Sequence, residues 1–302
     1  MSKPKNKVKH FFRKDQAKKM VLRKPNKNIQ DKSARLKEMR IPEDKIAPQR
    51  LQKILASSGL GARRDMENLI ESGKVQINGK KAKLGDKVTS ADEVKINNRA
   101  VKLIFPNRLP EIILYHKQEG EIVSREDPQG RITVFDRISP IKNHKWIAIG
   151  RLDINTSGLL IFTTSGDLVN RFSHPRFAID REYAVRVNGQ LTQAQMDELV
   201  MEGIMLEDGL AKAARISERH NDNENSKNFW YNIVVQEGRN REVRRIFKYY
   251  KLNVSRLIRT RFGPIAIPPR LKLGQYYKLN ALETEYVLKE MGMLEYTPGR
   301  FK

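Results

Sequence analysis

Residues 146–164 read WIAIGRLDINTSGLLIFTT, and the fold is decided in this stretch. Its two apolar runs, Trp146–Ile149 and Leu159–Phe162, are short, rich in β-branched or aromatic residues and bounded by turn formers, which predicts buried strands. Between them runs Gly150-Arg151-Leu152-Asp153-Ile154-Asn155-Thr156-Ser157-Gly158, a polar loop with glycine at each end. Glycines suit bends where a side chain would clash. A sheet therefore presents one carboxylate, Asp153, two residues after the cation Arg151. On spacing alone the plain reading is a strand connection in which Asp153 and Thr156 make turn hydrogen bonds.

Composition sets the outer bounds. At 302 residues the chain can bury a sizeable core in one large or two unequal domains. A net charge of +24, from 59 Lys+Arg against 35 Asp+Glu, predicts attraction to a polyanion. No apolar run approaches the ~20 residues of a membrane span, so no membrane role is expected. The basic N-terminus leads into no apolar signal core, which argues for a cytoplasmic protein. Cysteine is absent, and the five histidines show no ligand spacing, so neither thiolate chemistry nor a metal is expected.

Residues 1–47 hold 16 Lys+Arg and 5 Asp+Glu with few apolar residues, and read as a disordered basic tail. Such a tail could screen phosphates without regard to sequence, or simply solubilise. From residue 48 the pattern changes. Leu51, Ile54 and Leu55, then Met66, Leu69 and Ile70, fall at helical spacing, with Gly59 and Gly73 as stops. An Asn78-Gly79 turn and a strand at Val94–Ile96 follow. Arg50, Lys53, Arg63, Arg64 and Lys74 lie off the apolar stripes and would gather on one surface. A helix-turn-helix reader would also give two short helices, but not the sheet that follows. Gly59-Leu60-Gly61 lacks the preceding strand and third glycine of a dinucleotide loop.

Phe105–Pro110 reads as a linker and Ile112–Tyr115 as a strand. Asp127–Gly130 forms a turn beside Arg125 and Arg131, which, with Lys142, could meet phosphate. Gly166–Phe172 is predicted helical and closed by His174-Pro175. Arg181–Val187 alternates as a strand, placing Tyr183, Val185 and Val187 on one face. Leu191–Gly203 is an amphipathic helix, and Glu218–Lys227 a polar hairpin insertion. After the strand Phe229–Val235 comes QEGRNREVRRIF (236–247), with arginines at 239, 241, 244 and 245. Like charges so close on one helix repel by a few tenths of a kcal/mol per pair. The row suggests an anionic partner.

Several of these strings resemble known ones. RLQKILASSGLGARRDMENLIESGKVQINGKKAKLGDKV (50–88) resembles the S4 RNA-binding domain, two helices on a small sheet. GRLDINTSGLL (150–160) resembles the GRLDxxTSGLL motif of pseudouridine synthases acting on ribosomal RNA, the RsuA/RluB/RluE/RluF family. GRNREVRR with VSRLIRTRFG (254–263) is most similar to the RluB-type, large-subunit branch. Where the family carries a KPxG turn, this chain has Lys117-Gln118-Glu119-Gly120.

The resemblance implies an α+β fold. It places an S4 domain at 48–104, a linker at 105–110, a largely antiparallel synthase domain at 111–293 and a tail at 294–302. It also implies isomerisation of uridine to pseudouridine in a large-subunit stem–loop, free or in an assembly intermediate, by a monomer without cofactor. Asp153 would act at the sugar, either as nucleophile at C1′ or as base at C2′. Arg244 would pair with it, and Tyr183 would stack on the base. Arg151 would fill the space the base leaves, Leu257 and Ile258 would wall the pocket, and Arg239 and Arg241 would hold substrate. Arg50, Lys53, Arg63, Arg64 and Lys74 would be the S4 contacts. Small-subunit specificity and a catalytically inactive assembly factor are the competing expectations.

Overall fold

A computed structural model describes residues 26–141, 145–219 and 227–293. The chain divides into two compact units, one ending at Leu109 and the other running from Pro110 to Met291. Among the described residues no helix is long and apolar enough to cross a membrane.

In the first unit, helices α2 (Leu51–Ser57) and α3 (Arg63–Glu71) pack on a four-stranded antiparallel sheet. A short pair, β1 (Gln49–Arg50) with β4 (Lys87–Val88), flanks it. The sheet comprises β2 (Val75–Ile77), β3 (Lys80–Lys81), β5 (Val94–Ile96) and β6 (Arg99–Ala100), in the order β3-β2-β5-β6. Asn78 and Gly79 both take positive φ (49° and 79°), the mirror-image turn that matches the twist of paired strands. Leu51, Ile54, Leu55, Met66, Ile70, Val75 and Val94 form its core, so the helical and strand periods converge on one interior.

The N-terminal expectation needs correction. Lys27–Glu38 is a helix, α1, capped by Asn26, whose side chain accepts from the Ile29 amide at 3.0 Å. Leu36 and Ile41 are buried, and the Ile41 amide donates to the carbonyl of Asn107 at 2.8 Å. Two apolar anchors suffice because an existing surface receives them; the segment need not build a core of its own. For the same reason 105–109 is no free linker: Phe105 packs on the small core. Residues 1–25 and the 294–302 tail lie outside the described residues.

The second unit is built on a nine-stranded sheet. Its main path orders β13 (Arg215–Glu218), β14 (Asn228–Val235), β10 (Arg181–Asn188), β15 (Asn253–Phe262), β9 (Ser157–Thr163), β7 (Ile112–Lys117) and β17 (Tyr276–Lys278). β8 (Ile147–Ile149) joins β9, and β16 (Ile265–Ala266) joins β15. Every pairing is antiparallel except β15 with β9. That parallel contact is tight. A Cβ on Gly158 would lie 2.4 Å from the backbone N and O of Arg259, so only glycine lets the strands meet.

Helices α4 (Gly166–Ser173), α5 (Gln193–Met201), α6 (Glu242–Tyr249) and α7 (Ala281–Glu290) complete the unit, with a β11–β12 hairpin (Ile204–Leu206, Gly209–Ala211) between α5 and β13. α4 stops at Ser173 because the residue before Pro175 is pushed to extended backbone. One core gathers Val185, Val187, Leu199, Tyr231, Ile246, Phe247 and Leu257; another gathers Tyr115, Trp146, Leu152, Leu160 and Phe162. Tyr183 packs against both. Most of the predicted insertion lies outside the described residues, but Glu218 does not belong to it. Its carboxylate accepts from Gln190 Nε2 at 3.0 Å and from the Tyr231 hydroxyl at 3.2 Å.

Candidate active site

Asp153 sits in the loop between two hydrogen-bonded strands. β8 and β9 are paired, and Leu152, the residue just before, is buried in the core beneath. Asp153 itself is partly exposed, and its carbonyl accepts the Thr156 amide at 3.0 Å, closing the turn. Arg151, Ile154 and Asn155 are exposed around it. The carboxylate opens onto a cleft of about 380 Å³, whose other wall is the segment from Ile122 to Arg131.

Two cations hold this loop by its backbone. Lys117, at the end of β7, is fully buried, and its Nζ donates to the carbonyls of Gln118 (2.9 Å), Asp153 (3.0 Å) and Thr156 (2.8 Å). Three N–H groups meet three acceptors, so the ammonium is saturated. Burial nevertheless pushes its pKa down to about 8. Gly120 adds a fourth tie, its amide donating to the Ile154 carbonyl at 2.7 Å. On another side, Arg244 Nη2 donates to the Asn155 carbonyl at 2.8 Å and Nη1 to the Val254 carbonyl at 3.0 Å.

This geometry revises the reading of the arginine row. Arg241, not Arg244, makes the ion contact with Asp153, Nη1 to Oδ2 at 3.8 Å. Arg241 reaches it from the N-cap of α6, held at φ 49° and ψ 29°. Left-handed backbone at a residue with a Cβ costs roughly 1 kcal/mol or more, and such outliers cluster at functional sites. Arg244 is half-buried, and its pKa is lowered by burial and by the neighbouring charge of Arg241, while Asp153 opposes the shift. Arg239 is no free substrate ligand either. It donates to the carbonyls of Gly209 (3.3 Å) and Leu210 (2.9 Å) and pairs with Asp208 at 3.2 Å. Arg245 takes the same carboxylate through both ends, at 2.7 and 2.8 Å. Arg239 and Arg245 therefore clasp the β11–β12 hairpin.

Tyr183 is half-buried in β10, opposite Arg259 of β15. Burial pushes the Arg259 guanidinium down while the Tyr183 hydroxyl beside it opposes that; its Nε donates to the Leu159 carbonyl at 2.8 Å. Cross-strand partners share a face and consecutive residues alternate. Leu257, opposite Val185, is thus on the Tyr183 face, whereas Ile258, opposite Ala184, is on the other. The two cannot wall one pocket. Arg125 is spent on structure, its guanidinium 4.6 Å from the Phe135 ring centroid and bonded to the Trp146 carbonyl. Arg131 clasps Asp127, and its hydrogen bonds hold that carboxyl down at about 2. Lys142 lies outside the described residues. In the first unit Arg50, Arg63, Arg64 and Lys74 are exposed, and Lys53 bonds Gln49 Oε1.

The chain matches the RNA pseudouridylate synthase family over residues 111–249 and the S4 domain over residues 49–102. It is 44% identical over 255 residues to the ribosomal large subunit pseudouridine synthase B of Pseudomonas aeruginosa, an alignment spanning 83% of this chain and 65% of that relative. The relative of the same name from Escherichia coli K12 is 44% identical over 242 residues, 79% of this chain and 82% of that one. The chain belongs to the RNA pseudouridine synthase family. A solved structure described as a pseudouridylate synthase shares its fold, with a TM-score of 0.54 and 22% identity over 78% of this chain and 98% of that one.

The synthase site also contains residues that motif reading passes over. Glu121 is buried and accepts from the Tyr115 hydroxyl (2.7 Å) and Arg137 Nε (3.1 Å), bracing the turn after Lys117. Gln118, standing where the family has proline, turns its side chain toward Gly274; a Cβ there would sit 2.0 Å from Gln118 Nε2. A charged residue in a polar stretch reads as solvated, so nothing in the sequence marked Glu121, and the KPxG comparison marked Lys117 as a turn residue but not as the buried clamp of the Asp153 loop.

Proposed function

We propose that this synthase converts a uridine of large-subunit ribosomal RNA to pseudouridine, with Asp153 as its catalytic carboxylate. The observation that carries the reading is the placement of Asp153: a single carboxylate on a backbone-anchored loop, beside Arg241 and open to a cleft. The relatives named for the large subunit support the choice of RNA.

The reaction breaks the N1–C1′ bond, turns the base and re-bonds it through C5, with no net change of atoms. Asp153 acts at the sugar. Arg241 sets its guanidinium beside that carboxylate, Nη1 to Oδ2 at 3.8 Å. Tyr183 stacks on the detached uracil with Leu257 behind it, and the buried Arg259 guanidinium fixes the Tyr183 hydroxyl. The target base must leave its stack, costing a few kcal/mol. Phosphate contacts from the S4 surface and other exposed cations offset that cost. The reading carries with it a stem–loop substrate, action as a monomer and a cytoplasmic site of action.

The test is a pseudouridine map of ribosomal RNA from cells with and without the gene, rescued by wild type or by Asp153→Asn. One large-subunit site should vanish and return only with wild type. A small-subunit site would overturn the choice of RNA, and an unchanged map would overturn the activity.

A further inference from the structure

Ile154 is an exposed apolar side chain on the rim of the cleft that Asp153 lines. It follows Asp153 directly, it is 42% exposed, and it belongs to none of the described apolar clusters. Leu152, two residues earlier, is buried at 7% exposure in the core under the sheet. The contrast is local: one aliphatic residue secures the loop from below and the other faces the cleft. Ile154 lines the same cleft as Arg151 and Asp153, with Ile122 and Val123 across from it. Its own carbonyl is pinned by the Gly120 amide at 2.7 Å, and those of Asp153 and Asn155 by Lys117 and Arg244. The backbone under the side chain is therefore fixed on both flanks.

Turn positions ordinarily take polar residues that satisfy the backbone. A rigidly mounted, solvent-facing isoleucine beside a carboxylate that must reach a sugar has the properties of a wedge. Apolar side chains of this kind enter base steps and unstack them when a protein distorts nucleic acid. We infer that Ile154 inserts into the RNA stack at the target nucleotide and drives extrusion of the uridine, an inference that rests on the synthase reading above. The substrate feature it recognises is a paired or stacked uridine. Arg151, exposed on the other side of Asp153, supplies a polar group to the same opening. The ligand is the apolar face of a neighbouring base, so the contribution carries no base sequence.

The test compares two RNAs bearing the uridine identified by the ribosomal map: the stem–loop, and the same strand with its pairing partners mismatched. Single-turnover rates are measured with wild type, Ile154→Ala, Ile154→Ser and Ile154→Leu, alongside fluorescence of 2-aminopurine placed next to the target. Ile154→Ala and Ile154→Ser should slow the paired substrate at least 10-fold and the mismatched one less than 2-fold. The fluorescence rise should slow in parallel, and Ile154→Leu should restore most of the rate. Equal losses on both RNAs would mean that Ile154 only shapes the loop, and no loss on either would mean it touches nothing; both overturn the wedge. Wild type that modifies neither RNA overturns the synthase reading itself.

Discussion

The Nζ of Lys117 lies under the peptide of Asp153 and donates to its carbonyl oxygen at 3.0 Å. The same ammonium holds Thr156 three residues on, so a buried cation, together with the buried Leu152 side chain, sets where the carboxylate stands. Misplacement of a reacting group by about 1 Å can cost on the order of 100-fold. Lys117→Met should therefore lower kcat by roughly that factor while RNA affinity changes only a few-fold. Equal losses in kcat and affinity would show that Lys117 supports the domain at large.

The same residue predicts an alkaline limb. Burial depresses the Lys117 pKa from 10.5 to about 8. The unfolded chain thus holds this proton to higher pH than the folded one does. Its contribution to global stability rises with pH between those values, relieving the burial of a charge. The loop moves the other way, because a neutral amine has two N–H donors for three carbonyls. kcat should fall with a midpoint near 8 while Tm does not fall through this group. The limb should be missing from the residual activity of Lys117→Met.

Arg241 and Arg244 should separate experimentally. Arg241→Ala removes the ion contact to Asp153 but keeps the Cβ, and with it the left-handed strain, so kcat should fall 10-fold or more with little change of Tm. Arg244→Ala leaves the carbonyls of Asn155 and Val254 without their charged donors, each worth about 1.5–3 kcal/mol. It should lower both kcat and Tm. Identical thermal profiles for the two variants would contradict this division.

Asp208 should matter to the hairpin and not to the reaction. Asp208→Ala frees Arg245 and leaves Arg239 with only the Gly209 and Leu210 carbonyls on the hairpin, so amide exchange and proteolysis across 204–211 should accelerate while turnover stays within 2-fold. Faster turnover or a steeper salt dependence of RNA binding would mean that these arginines do reach the phosphates.

Gly158→Ala is the sharpest test of the sheet. Its Cβ would meet the Arg259 backbone at 2.4 Å, at a φ of 110° that L residues avoid. A loss of roughly 3 kcal/mol or more is expected, measured by urea denaturation. A neutral result would show that β9 and β15 can part.

Most of the architecture was legible because hydrophobic period and turn chemistry agreed: the strands on either side of Asp153, the Asn78-Gly79 hairpin and the stop at His174-Pro175 all follow local rules. α1 was not legible. Leu36 and Ile41 are too sparse to signal a helix, and their burial depends on a surface built elsewhere in the chain. The arginine row was visible as charge but not as partners, since backbone carbonyls leave no mark in a sequence. Hence Arg239 looked like a substrate ligand and Arg244 like the partner of Asp153, and both turned out to hold the protein's own peptide groups. Ile258 fell to parity: adjacent strand residues face opposite ways.

Lys117, Arg244 and Gly120 grip carbonyl oxygens, a feature every residue carries. The position of the loop that carries Asp153 is therefore indifferent to the side chains at 151, 154 and 155. Those positions can change while the carboxylate keeps its address, so where the carboxylate stands and what the turn presents to the RNA are inherited on separate parts of the same short turn.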